Sequence, residues 1–163
     1  MFKQKSINGY GVLLVLSVFL SGSVFAQEQN VSLREEIALK GERQAALYYE
    51  VSDNELTTGI GFRVHFNSSN VDVLEIKSYL DLSNVGIQVM KDTDDLDHDP
   101  LTDSYINAAW VEMNGEWPSA TLLPVKLYSF TFDSISAQAS ELFKISQSST
   151  PVGYDFVSSI TNK

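Results

Sequence analysis

A chain of 163 residues with 21 acidic and 11 basic side chains carries a formal charge of −10, and it contains no cysteine. Such an excess of negative charge works against binding nucleic acid or anionic membrane, and without cysteine an exported form would hold no disulfide. The balance suits a soluble exported protein, a cation-binding one, or one from a salty habitat.

The start of the chain has the layout of a secretory leader. Lys3 and Lys5 precede the apolar run Gly11–Leu20, and Val24-Phe25-Ala26 places small residues where a signal peptidase cuts. The run is too short to span a bilayer. Cleavage after Ala26 is therefore expected, leaving residues 27–163 as a single domain. That mature chain has 137 residues with 9 basic and 21 acidic side chains, a net charge of about −12. At such a length a domain buries roughly two-thirds of its unfolded surface without cross-links.

Gln27–Asn30 is polar and reads as loose. Ser32-Leu33-Arg34-Glu35 matches a capping box, so either a short helical turn through Ala38 or a first extended segment is expected. From Ala45 the period becomes two, with Leu47, Tyr49 and Val51 alternating with Tyr48, Glu50 and Ser52. This marks a half-buried strand. Asp53-Asn54-Glu55 is a turn. Ile60, Phe62, Val64 and Phe66 then face one way, and Gly61, Arg63, His65 and Asn67 the other, which places His65 on a solvated face. Asn67–Asn70 turns the chain into a strand over Val71–Ile76, and Val85–Met90 is another. Tyr105–Met113 is apolar on both faces, which predicts a central or doubly covered strand. Asn114-Gly115 is a turn signal. Val125–Phe132 is a strand with Tyr128, Phe130 and Phe132 on one face and Val125 and Leu127 on the other. Ser134–Ser140 reads as a loop or one helical turn, and Leu142–Ile145 and Tyr154–Val157 close the chain. Short strands with turn signals between them, and no long helical period, define an all-β, antiparallel β-sandwich of about nine strands.

The segment 91–103, KDTDDLDHDPLTD, holds six aspartates in thirteen residues. Carboxylates at this density repel one another unless a cation lies among them. Asp95, Asp97 and Asp99 alternate as calcium ligands do, with the Leu101 carbonyl and Asp103 following, and Asp92 or Asp94 available as further ligands. Pro100 stands where an EF-hand needs glycine, and Ile106 where it needs a bidentate glutamate, so the loop is not an EF-hand. A structural Ca²⁺ site in a β-sandwich loop is the expectation, against a solvated acidic loop as its alternative. His98 is one nitrogen among oxygens, a weak signal for a transition metal.

Among the aromatics, Trp117 in the Asn114–Pro118 turn, Tyr105 and Trp110 are the candidate ligand-binding residues, because flat apolar rings stack on sugars. The competing reading is that Trp110 packs in the core and Trp117 folds over the end of the sandwich. No catalytic residue is assigned. There is no cysteine nucleophile, no Gly-x-Ser-x-Gly elbow, no glycine-rich phosphate loop and no His-Glu-x-x-His zinc motif. Glu112 and Glu116 form the one carboxylate pair whose spacing in space would decide a glycosidase reading.

The stretch Gly61-Phe62-Arg63-Val64-His65-Phe66-Asn67-Ser68-Ser69-Asn70-Val71-Asp72-Val73-Leu74-Glu75-Ile76 resembles the strand–turn–strand of cohesin modules and related carbohydrate-binding β-sandwiches. Val125-Lys126-Leu127-Tyr128-Ser129-Phe130-Thr131-Phe132 is similar to a later strand of those modules, and Gly41–Val51 to an early one. The likeness runs over about residues 38–160 and implies a nine-stranded jelly roll with a binding role. It carries no binding residue of the family onto a position here. The function expected is thus a secreted, extracellular or periplasmic, non-catalytic module. Its ligand is a polysaccharide or a secreted or cell-surface protein, with a docking or matrix component as the alternative and a glycan-active enzyme as a remote one.

Overall fold

A computed structural model describes residues 27–37, 42–80, 84–118, 123–134 and 138–162. The expected leader and its cleavage site lie outside these residues. Among the described residues no helix is long and apolar enough to cross a membrane.

The chain forms nine strands: β1 Gln27–Ile37, β2 Arg43–Val51, β3 Gly59–Phe66, β4 Val71–Ser78, β5 Asn84–Lys91, β6 Ser104–Val111, β7 Val125–Ser134, β8 Phe143–Ser149 and β9 Tyr154–Thr161. One helical turn, α1 Ala139–Leu142, precedes β8. The strands make two sheets, ordered β4-β7-β2-β1-β9 and β5-β6-β3-β8. Hairpins β1–β2 and β5–β6 stay within a sheet, and every other connection crosses between the two, the pattern of a jelly roll. All pairs are antiparallel except β1 and β9, which run parallel. A parallel pair needs a long crossover, and here the whole intervening domain supplies it, so the first and last strands lie side by side with the two ends of the described chain at opposite ends of the pair.

Period-two patterning explains the core. Ile60, Phe62, Val64 and Phe66 of β3 turn inward against Leu47 and Tyr49 of β2 and Phe130 and Phe132 of β7, all buried. β7 departs from strict alternation. A bulge opposite Leu47 and Tyr48 shifts the register, so Val125 pairs with inward-facing Tyr49 while Tyr128 pairs with inward-facing Leu47. An extra residue reverses the parity of a strand, and Val125 and Leu127 therefore join the core rather than the opposite face.

Gln27–Asn30 is the beginning of β1 rather than a loose end, and the capping-box segment is extended. Gln29 is fully buried and donates through Nε2 to Tyr49 Oη at 2.9 Å, Thr57 Oγ1 at 3.2 Å and the Gly59 carbonyl at 3.2 Å. The Nε2 group is thus supplied with acceptors while the buried Oε1 is left without a partner, and this polar residue pins the first strand across the sandwich to the loop ahead of β3.

Trp110 and Trp117 are each only 1% exposed. Trp110 donates its indole N–H to the Leu80 carbonyl at 3.1 Å. Trp117 meets Tyr49 edge-on with ring centroids 4.4 Å apart, and its backbone bonds both ways with Thr57 at 2.7 and 2.9 Å. Tyr105 is also buried, its ring 5.5 Å from the His65 imidazole. None of the three aromatics expected to stack on sugar offers a free face. The turn folds Trp117 inward because indole burial against Tyr49 and Trp110 removes a large apolar area from water.

Candidate functional site

The acidic loop joins β5 to β6 and folds back over one end of the four-stranded sheet. Asp92 N–H donates to the Asp103 carbonyl at 2.9 Å, closing its neck, and Asp103 N–H donates to the Phe66 carbonyl at 3.2 Å, tying it to the end of β3. Asn67 Nδ2 donates to the Leu101 carbonyl at 2.6 Å. Asp95 and His98 adopt positive φ of 53° and 55° at the bends between these anchors.

The six aspartates do not converge on one point. Asp103 accepts from the backbone N–H and hydroxyl of Ser68, both at 2.7 Å. Those bonds hold its carboxyl below the usual aspartate range. Asp99 is ion-paired with Lys144 of β8. Asp94 and Asp95 are exposed, as is His98. Asp92 and Asp97 turn inward, and their side chains are 0% and 5% exposed. Asp92 accepts the Leu96 N–H at 3.2 Å, and Asp97 accepts the Thr102 hydroxyl at 2.9 Å.

Between them stands His65 of β3, fully buried where alternation placed it in solvent. Its position does face outward, but the acidic loop covers that end of the sheet. Nδ1 lies 3.2 Å from Asp92 Oδ2 and 3.8 Å from Asp97 Oδ2. On the far side of the ring, Nε2 lies 2.7 Å from Ser146 Oγ of β8. Burial pushes the imidazole below its ordinary pKa, and the carboxylates of Asp97 and Asp92 pull only partly against it. Within the described residues His65, Asp92 and Asp97 are brought together as possible metal ligands, their donor atoms all within 4.8 Å of one another. Of the residues singled out in the sequence, the structure thus unites Asp92 and Asp97 and separates Asp94, Asp95, Asp99 and Asp103 from them. His65 was not among the candidates, and no local signal marks it: its partners lie 27 and 81 residues away.

The two outer faces of the sandwich differ. On the five-stranded sheet, Lys126 pairs with Glu36 at 2.8 Å and Tyr48 donates to the same carboxylate at 2.7 Å. The Arg34 guanidinium lies 4.4 Å over the Tyr48 ring, and the Lys126 ammonium 4.8 Å over Tyr79. That face pairs its charges internally, while Leu74 and Tyr79 stay exposed at its β4 edge. On the four-stranded sheet, Gly61, Ala109 and Gly86 stand in register across β3, β6 and β5. Beside this row Val111 and Met113 are 44% and 88% exposed, and Met90, 39% exposed, lies further along the same face, opposite Tyr105 and past the row of Arg63, Asn107 and Gln88. Gly61, Ala109, Val111, Met113 and Pro151 line a shallow depression of about 350 Å³.

These features define an all-β sandwich of two sheets with a braced acidic loop at one end of the smaller sheet. No protein-family model matches the chain, and no curated protein matches it. Among solved structures it is similar to the solution structure of CaCohA2 from Clostridium acetobutylicum, at a TM-score of 0.44 and 14% identity, over 86% of this chain and 94% of that one.

Proposed function

We propose that this chain is an exported, non-catalytic docking module that recognises a protein partner on the outer face of its four-stranded sheet. The observation that carries the reading is the contrast between the faces. One has its charges paired in ion pairs and cation–π contacts, and the other presents exposed Val111 and Met113 beside a row of small residues, with Met90 further along the same face. Gly86, with open space where a side chain would stand, and half-buried Ala109 admit close approach of a partner, and flexible methionines adapt to its surface. Export rests on the leader-like residues 1–26. Polysaccharide recognition at Trp117, Trp110 and Tyr105 is disfavoured, since all three rings are buried.

The test compares immobilised wild type, Val111→Asp and Met113→Asp against the secreted and cell-surface proteins of the producing cell. A protein partner retained by wild type should be lost by tenfold or more in each variant, because an unpaired carboxylate in an apolar contact costs more than about 1.4 kcal/mol. Both substitutions are on exposed side chains, so melting temperatures should stay put. Retention on insoluble glycans with no protein partner, or a partner indifferent to both substitutions, would overturn the reading.

A further inference from the structure

We propose that His65, Asp92 and Asp97 form a binding site for a divalent transition-metal ion of the zinc class, built across β3 and the acidic loop. Two carboxylates shut away from water are costly unless a cation compensates them. The neighbouring basic side chains are committed elsewhere. Lys144 pairs with Asp99, Lys91 reaches toward Asp103 at 4.0 Å, and Arg63 donates to the Gln147 carbonyl at 3.2 Å with its guanidinium over the Tyr105 ring. The group that faces Asp92 and Asp97 is instead an imidazole, a metal ligand in its neutral form.

The two separations from the imidazole suit such an ion. Tetrahedral zinc with bonds of about 2.0–2.2 Å to nitrogen and oxygen sets its ligand atoms roughly 3.3 Å apart. The separations from His65 Nδ1 to the two carboxylates, 3.2 and 3.8 Å, bracket that edge. Ser146 supplies an outer contact of the kind that orients a ligating imidazole. When Nδ1 carries the proton, it donates to Asp92 and the Ser146 hydroxyl donates to Nε2. When Nδ1 ligates a metal, the proton sits on Nε2 and donates to Ser146 Oγ, so one hydroxyl serves both states. Metal binding therefore moves the single ring proton from Nδ1 to Nε2, and the imidazole stays neutral and releases none. Donor chemistry separates this from a calcium loop. Calcium takes six to eight oxygens, whereas here one ligand is nitrogen and four of the six aspartates point away. The ion would staple the loop to β3, with Ser146 of β8 behind the imidazole, and would take no ligand from Val111 or Met113, so this site is tested separately from the proposed function.

Protein purified without a histidine tag and stripped with chelator is titrated with Co²⁺, then Zn²⁺, with Ca²⁺ in parallel. One Co²⁺ per chain should bind with the intense visible absorption of tetrahedral nitrogen–oxygen coordination, and Zn²⁺ should displace it. Zn²⁺ at a hundredfold excess over its Kd should raise the melting temperature by about 5–10 °C. Asp97→Asn and His65→Gln should each abolish the absorption, and Ser146→Ala should weaken binding about 10–100-fold. Asp94→Asn and His98→Gln, in the same loop, should change nothing. Should His65→Gln fail to fold, the near-isosteric Asp97→Asn still decides. No stoichiometric Co²⁺ or Zn²⁺ binding, binding that survives Asp97→Asn, or a rise in melting temperature with Ca²⁺ equal to that with Zn²⁺ would overturn the proposal.

Discussion

Trp117 shows how far a single side chain's role depends on its neighbours. As a letter in a turn next to Asn114-Gly115, it looks like a ring offered to a ligand. In the fold its indole sits edge-on to Tyr49 and beside Trp110, and its backbone forms a two-bond bridge with Thr57. Truncating a buried tryptophan leaves a cavity and removes its transfer energy, typically 3–5 kcal/mol. Trp117→Ala should therefore lower the urea midpoint by that equivalent, with the loss the same whether or not any sugar is present. A variant with wild-type stability and a selective loss of glycan retention would instead return Trp117 to the surface role its sequence context suggested. Gln29 makes the complementary point. Its polarity argues for a loose terminus, yet its three donor contacts make it an anchor of β1.

Strands whose inner face is buried announce themselves by alternation, and β2 and β3 were legible for that reason, while β6 was legible as a run apolar on both faces. What alternation does not carry is the partner strand, the bulge in β7, or the parallel closure of β1 by β9. The acidic loop was legible by carboxylate density alone, whereas its histidine was not. His65 is contributed by β3, and the parity that marks it as outward says nothing about a later loop folding over that face. The outer face of the larger sheet yields a pH prediction of its own. Burial alone would raise the Glu36 carboxyl, but hydrogen bonds from Lys126 and Tyr48, with the charges of Lys126 and Arg34, hold it below the ordinary glutamate value. A carboxyl whose pKa falls on folding adds stability above its unfolded pKa and loses that increment as pH drops through the folded value. Wild type should thus exceed Glu36→Gln by up to about 1 kcal/mol at neutral pH, and the gap should close on acidification below the ordinary glutamate range. Urea midpoints of the two proteins measured in parallel across that range check it, and a gap that widens as pH falls would reverse the sign assigned here.

At the scale of the molecule, the parallel pairing of β1 and β9 ties the two ends of the described chain to one edge of the larger sheet. β9 is the edge strand, and it pairs with β1 through eight residues, Gln27–Arg34 against Tyr154–Thr161. Its Tyr154, Phe156 and Ile160 are half-buried against the core, Tyr154 Oη donates to Glu55 at 3.2 Å, and the Asn162 side chain accepts the Ser140 N–H at 2.9 Å at the start of α1. Removing residues 152–163 takes away the three apolar side chains packed on the core, worth together about 3–5 kcal/mol by area. That is a large part of the 5–15 kcal/mol by which an ordinary domain is stable. It also strips the hydrogen-bonding partner from β1, and an uncovered strand with unpaired amides and carbonyls is a template for pairing between chains. The truncated protein should melt more than about 10 °C below wild type and should elute from a sizing column with a concentration-dependent oligomer that wild type lacks. A truncated chain that stays monomeric and melts within a few degrees of wild type would mean that the sandwich holds together without β9, with β1 then acting as a tolerated edge. The same experiment bears on the metal site from a distance: β9 belongs to the other sheet from His65, so Co²⁺ binding should persist in whatever fraction of the truncated protein remains folded.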